Sequence, residues 1–434
     1  MRRRAFGRRP STAVGAVVAI AVLVSAFAAT AGATSTPPPT PVGLKGSPSP
    51  FPTVLETPRP APRPPATRAR LAVLEDAASG QVLYGKRATD RHPIASLTKI
   101  MTALLVLGRT DPDDVVTVSR TAALTPPSDI GLKAGERLTV RDLLEGLMLS
   151  SANDAAVALA EHVSGSSAAF VKLMNHRAAA LGLRHTHFAS PNGLDDHGYS
   201  TARDLATLTA IAMRNHAFRR LVSTEFADVQ GPPDKEERHL QNRNAMLWLY
   251  RGATGVKTGF TDKAGWCLVA TATRHGRHLV AVVLGAPTQG ASFSDAATLL
   301  NYGFAEFQES DLAVPGETGG TVLLQGEPVL VTTTEGLSAL VRVDRLDDVQ
   351  STFVPAPGVV LPVARGARVG SLAFRTGRLR LGAVSLIAAE DVSAPPAAPG
   401  TNPEAPPPAA LAPAFDSALR LLHAAARSAW GSLL

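Results

Sequence analysis

The sequence predicts an α+β domain followed by a small all-β domain. Three observations lead there: β-rich runs at both ends of residues 70–307, long apolar helical patterns between them, and a change after Phe307 to short strands punctuated by turn residues. Strands at the two ends of the first region must meet to cover their apolar faces. The first hairpin is therefore expected to pair with the last strands in an antiparallel sheet flanked by helices. With 434 residues, 45% of them hydrophobic and 18% charged, the chain has room for two or three domains.

The N-terminus reads as an export signal. "MRRRAFGRR" is a charged n-region, Ala13 to Ala29 is an apolar h-region, and Ala29-Thr30-Ala31 or Ala31-Gly32-Ala33 offers a small-x-small cleavage pattern, giving a signal peptide over residues 1–31. An uncleaved anchor is the alternative, because the apolar run approaches the lower limit for spanning a bilayer. Residues 32–69 are proline-rich without periodicity and read as an extended linker.

In the first region, Arg70 to Asp76 and Gln81 to Lys86 flank an Ala-Ser-Gly turn and predict a hairpin. Helical patterns follow over Ser96 to Arg109, Val140 to Leu149, Asn153 to Val163 and Ala168 to Leu181. Strands return as "GVKTGFT", "CLVATAT" and "HLVAVVLGA", the last two joined across His275-Gly276, and a helix from Ser294 to Phe307 closes the unit. From residue 308 to 392, "TVLLQG", "PVLVTTT", "ALVRVDR", "VVLPVARG" and "VGSLAFR" predict a β-sandwich or barrel with no catalytic constellation. A second Pro/Ala-rich linker covers 393–413. Residues 414–434 form an amphipathic pattern, with Phe415, Leu419, Leu422, Ala426, Trp430 and Leu433 opposite Asp416, Arg420, His423 and Arg427, suited to a membrane surface.

The formal charge of +7 is not a sign of nucleic-acid binding. Residues 1–31 hold five arginines and no acid, and residues 32–70 hold five basic groups against Glu56, so the rest of the chain is slightly acidic. No basic stripe with interleaved aromatics is present. The single cysteine, Cys267, cannot pair within the chain, and its setting in "WCLVATAT" predicts a buried strand position.

Chemistry enters at "IASLTKIMTA", Ile94 to Ala103. Ser96 stands at the N-terminus of an apolar helix, where unpaired N–H groups favour developing negative charge, and Lys99 follows one turn later on the same face. A lysine withdrawn from water loses its proton more easily and can act as general base toward the serine. A lone S-x-x-K is as well explained by a serine cap and an unrelated lysine. Here, however, Ser151-Ala152-Asn153 and Lys257-Thr258-Gly259 follow in order, completing the triple shared by penicillin-binding proteins and class A β-lactamases. Ser151 can relay a proton to a leaving amine and Asn153 can hold a substrate amide. Lys257 and Thr258 can meet a carboxylate, and Gly259 leaves room for substrate backbone along the strand.

With these motifs, "SPNGLDDHGYSTARDLA", "NRNAMLW", "GVKTGFTDKAGWCLVATA" and "DAATLLNYGF" the sequence resembles the serine-type D-alanyl-D-alanine carboxypeptidases, the low-molecular-weight penicillin-binding proteins. The resemblance implies a β-lactamase/transpeptidase-like fold and acyl transfer through Ser96 on peptidoglycan stem peptides ending in D-Ala-D-Ala. It further implies β-lactams as covalent inhibitors, an oxyanion hole from the N–H groups of Ser96 and Phe260, and no metal or organic cofactor. Arg243 is implied as a partner of the substrate carboxylate, although an arginine in a structural ion pair would look the same. Two positions depart from the family pattern: alanine stands at the centre of Ser-Ala-Asn, and Phe260 follows Lys-Thr-Gly where a polar residue is common.

The nearest rivals are a class A-like β-lactamase and a penicillin-binding sensor. Against the first stand the Gly-Leu-Asp-Asp block and the β-rich region. Intact Ser96 and Lys99 count against a catalytically dead sensor. A zinc peptidase has less support: His197 and Asp204 have a suitable spacing and Glu236 to His239 supplies a Glu-x-x-His, but Asp195 and Ser200 occupy flanking positions where serine and glycine are expected. Asp195 and Asp196 read as turn-formers.

Overall fold

The structure is a computed structural model, describing residues 63–231 and 237–394. The expected signal peptide, most of the first linker, nearly all of the second and the amphipathic segment lie outside the described residues.

A hairpin of β1 (Leu71–Asp76) and β2 (Val82–Lys86) opens the fold. A 3-10 turn, Ala95–Thr98, leads into α1 (Lys99–Leu107). Next come β3 (Val115–Thr117), α2 (Arg120–Ala123), β4 (Arg137–Thr139), α3 (Val140–Met148), α4 (Asn153–Ser164) and α5 (Ser167–Ala180). After these the chain forms α6 (Ala202–Ala212), α7 (His216–Ser223), β5 (Phe226–Gln230), β6 (Glu237–Gln241) and the short α8 (Met246–Leu249). The strands β7 (Ala253–Thr261), β8 (Gly265–Arg274) and β9 (Arg277–Ala286) precede α9 (Gln289–Glu306).

The order of the main sheet is β2-β1-β9-β8-β7, and each neighbouring pair is antiparallel. The first hairpin thus joins the last strands, with Leu71 opposite Leu284 and Asp76 opposite Leu279. Both faces are covered, which explains the near-continuous apolar run of β9. Val280, Val282 and Leu284 enter the core shared with α1, α3, α4 and α6, while Leu279, Ala281 and Val283 pack toward α9. Cys267 is buried in the same sheet, and burial pushes its thiol up to about 12, as fits a packing role.

Several helices carry the expected caps. Thr139 forms a capping box with Asp142 at α3, and Ser166, Thr201 and Thr288 each accept an N–H at the starts of α5, α6 and α9. The helix expected from Ser96 differs. Regular α geometry begins only at Lys99, because Ala95 adopts a left-handed φ of 47° and the chain turns through 3-10 geometry first. The closing helix also starts earlier, at Gln289, where Thr288 caps it.

The second region is all-β: β10 (Phe307–Ala313), β11 (Thr318–Leu324), β12 (Glu327–Thr333), β13 (Leu337–Arg342), β14 (Val349–Pro355), β15 (Arg368–Thr376) and β16 (Leu379–Ala388). One sheet has the order β11-β12-β16-β15-β14, and β10 pairs with β13. "VVLPVARG" was expected to be a strand but is a loop, joined to the sheet region by a bridge between Val363 and Val392 and by the Gly366 N–H donated to the Ala388 carbonyl of β16. Pro362 has no N–H to give a ladder, and Gly366 turns the chain at a φ of 81°. Gln81 ties the two regions together: its side chain donates to the Leu340 carbonyl at 2.6 Å and accepts from the Leu340 N–H at 3.1 Å.

Candidate active site

Lys99 anchors the site. It is fully buried, and its Nζ lies 2.8 Å from Ser96 Oγ, 2.7 Å from Asn153 Oδ1 and 2.9 Å from the Asn192 carbonyl. Asn153 donates its own amide to the Pro127 carbonyl, which fixes the orientation that presents Oδ1 to the lysine. Burial, with the nearby charges of Lys257 and Arg243 adding to it, pulls the Lys99 pKa well below 10.5. A neutral amine has two N–H groups and one lone pair. Asn153 Oδ1 and the Asn192 carbonyl can only accept, so they take the two N–H groups and leave the lone pair for the Ser96 hydroxyl.

Glycines allow this approach of backbone to backbone. A Cβ on Gly193, whose φ is 83°, would sit 1.9 Å from the Ala95 carbonyl oxygen. A Cβ on Gly259 would stand 3.1 Å from both the Ile94 carbonyl oxygen and the Ser96 nitrogen. The turn bearing Ser96 is thus wedged between the Asn192-Gly193 loop and strand β7.

Strand β7 ends its sheet and carries Lys257, Thr258, Gly259 and Phe260. Lys257 is 1% exposed, and burial followed by the charge of Arg243 pulls it down to about 7. Among the described residues its ammonium bonds to the neighbouring Thr258 carbonyl at 3.2 Å, so the strand brings a poorly compensated cation to the site. Phe260 is 47% exposed and stacks on Trp266 with ring centroids 4.4 Å apart. An apolar stack replaces the polar side chain common at that position.

Ser151 is nearly buried and holds a left-handed φ of 62° just before α4. Its hydroxyl makes no hydrogen bond among the described residues. Arg243 donates to Ser128 Oγ at 3.0 Å, so the partner shown is a hydroxyl rather than the carboxylate of a structural ion pair. Ser128, also left-handed at 59°, uses its carbonyl to accept the Asn153 N–H at 2.7 Å.

Sequence reasoning named Ser96, Lys99, Ser151, Asn153, Arg243 and Lys257 to Phe260; hydrogen bonds join Ser96, Lys99 and Asn153, charge couples Lys99, Lys257 and Arg243, and Gly259 packs against the Ser96 turn. It assigned no role to Asn192, to Ser128 or to Asp154, the buried carboxylate that accepts the N–H groups of Ile130 and Leu132. Asn192 meets Lys99, and Ser128 meets Asn153, through backbone carbonyls, which any residue possesses. Pro191-Asn192-Gly193 was visible only as part of the stretch "SPNGLDDHGYSTARDLA" that carries the resemblance.

The zinc-type residues go to separate partners. His197 pairs with Asp195, Asp204 accepts from His185 and Thr186, and His239 pairs with Asp228, while Glu236 lies outside the described residues. Asp195 has the turn role read from sequence, whereas Asp196 also accepts from Thr261 at the end of β7.

The sequence profile of the D-alanyl-D-alanine carboxypeptidases matches residues 59–288. The chain belongs to this family. It is 33% identical to D-alanyl-D-alanine carboxypeptidase DacF of Bacillus subtilis, covering 75% of this chain and 86% of the relative. It is 34% identical to DacC of Escherichia coli, covering 76% and 85% respectively. The crystal structure of penicillin binding protein 5 from Haemophilus influenzae superposes with a TM-score of 0.64 at 30% identity, over 76% of this chain and 99% of that one. This carboxypeptidase is thus a serine hydrolase of the acyl-enzyme type, penicillin-sensitive as the family is.

Proposed function

We propose that Ser96 is the nucleophile, Lys99 its base, and residues 257–260 the strand along which the stem peptide lies. The observation that carries this reading is the Lys99 amine, buried, held by two carbonyl acceptors and aimed at Ser96 Oγ. Ser96 Oγ attacks the carbonyl of the penultimate D-alanine while its proton passes to Lys99. The N–H groups of Ser96 and Phe260 receive the oxyanion. The C–N bond then breaks, Ser151 passes a proton to the departing amine, and terminal D-alanine leaves. Water hydrolyses the ester.

Lys257, Thr258 and Arg243 hold the terminal carboxylate, and Asn153 both orients Lys99 and meets the substrate amide. The closeness of Arg243 to both lysines, evident in their lowered pKa values, supports its place in this cluster. Residues 70–307 form the catalytic unit and 308–392 a separate β-rich unit. Export by residues 1–31 and surface contact by residues 414–434 would place the enzyme at the outer face of the cytoplasmic membrane or in the wall, with no nucleic-acid partner.

Intact-mass and peptide mapping after exposure to a penicillin test the assignment. An adduct on Ser96, with loss of one alanine from a stem pentapeptide and both abolished in Ser96→Ala, is the expected result. An adduct on another residue would remove Ser96 from its role.

A further inference from the structure

The β-rich region carries a basin that the peptidase reaction does not use. It measures about 600 Å³ and is lined by Thr352, Val354, Ala373, Arg375, Arg378 and Arg380 among others. Its floor is the outward face of β14 and β15, where Thr352 lies opposite Ala373 and small side chains leave a hollow. The three arginines rim it at the β15–β16 turn.

Two features make this basin unusual. Arg375 and Arg380 are register partners across β15 and β16, so two like charges are directly opposed, an arrangement that destabilises a sheet. No carboxylate lines the basin, and none of the three guanidinium groups makes an ion pair or hydrogen bond among the described residues. Two other arginines of the region are matched, Arg342 with Asp344 and Arg345 with Asp348. The charge therefore lacks a partner among the described residues.

We propose that this basin binds the phosphate groups of a soluble phosphodiester-linked polymer. Guanidinium forks match phosphate oxygens in bidentate geometry, and a ligand anion between Arg375 and Arg380 turns their repulsion into attraction. Several cations along one hollow suit a chain of phosphates better than a single carboxylate. A lipid headgroup would offer the same phosphate, and the vesicle measurement below separates the two sources. β16 runs away from the basin for ten residues, roughly 33 Å at strand rise, before the chain continues toward the segment suited to a membrane. The basin is at the far end of the domain from that exit.

The test uses the full chain and the variant Arg375→Gln/Arg378→Gln/Arg380→Gln, with inorganic polyphosphate as probe. Calorimetric titration is expected to show binding to the wild type that is about tenfold or more weaker in the variant. Polyglutamate should bind less well than polyphosphate. Release of D-alanine from a soluble pentapeptide should be the same in both proteins, which shows the variant is folded and keeps this site separate from the catalytic one. The single variant Arg380→Gln should melt no lower than wild type without polyphosphate, since it removes the opposed charge. Equal polyphosphate binding by wild type and triple variant would overturn the proposal. So would equal affinity for polyglutamate, or a triple variant that loses binding only to phosphatidylglycerol vesicles.

Discussion

At the scale of single residues, the site concentrates cations out of water before any substrate arrives. Lys257 shows the consequence. Its folded pKa of about 7 lies below the ordinary 10.5, so between those values the unfolded chain holds a proton that the folded chain does not. Stability from this group therefore rises with pH across that window, and below pH 7 the folded state bears the full cost of a buried charge. Lys257→Met is expected to raise stability at pH 6 by about 1–4 kcal/mol, with the gain shrinking toward pH 10, while hydrolysis is lost. Chemical denaturation at the two pH values checks the sign; destabilisation at pH 6 would mean that the lysine is well compensated. Ala95, Ser128 and Ser151 add backbone conformations in the left-handed region around the same site, each of which costs free energy that the surrounding packing must offset.

Among elements, the turn Ala95–Thr98 is set by what presses on it. Gly193→Ala would put a methyl group into the Ala95 carbonyl and demand a left-handed φ from alanine. The expected cost is about 2–4 kcal/mol, with penicillin acylation falling at least about tenfold as the turn shifts, measured by melting and stopped-flow together. Acylation at the wild-type rate would show that Gly193 does not position Ser96. The catalytic motifs, the first hairpin, five helices and the three long strands were legible in sequence, because each has a clear period or a specific residue triple. Less legible elements had physical reasons. β16 changes phase at Gly382, from Leu379 and Leu381 to Val384 and Leu386, which hides its alternation. The helices α6 and α7 were not resolved as separate elements. α6 is buried nearly all round and α7 has only eight residues, so neither offers a long amphipathic stripe. Pro127 and Asn192 meet Asn153 and Lys99 through backbone carbonyls and left no residue-type signal.

At the scale of the whole molecule, one side chain bridges the two regions by imitating a strand partner. Gln81 satisfies both the N–H and the carbonyl of Leu340, and Arg277 donates to the carbonyls of Phe304 and Phe307 where α9 gives way to β10. Gln81→Ala would leave the Leu340 groups buried without partners, at about 1–3 kcal/mol each. Hydrogen exchange in β13 should accelerate while turnover of a soluble pentapeptide stays within about twofold, since no catalytic group depends on Leu340. A large loss of turnover would instead tie the β-rich region to the chemistry.

The central claim is that Lys99 is neutral at working pH and takes the Ser96 proton. The most direct measurement is the rate of Ser96 acylation by a penicillin as a function of pH, in wild type and Lys99→Arg. With its pKa well below 10.5, Lys99 should give a rate that levels off below the ordinary lysine range and falls as acid protonates the amine, and the arginine variant should not acylate at a comparable rate. A wild-type rate that keeps climbing through the ordinary lysine range near 10.5, or an active arginine variant, would contradict a neutral Lys99 as the base.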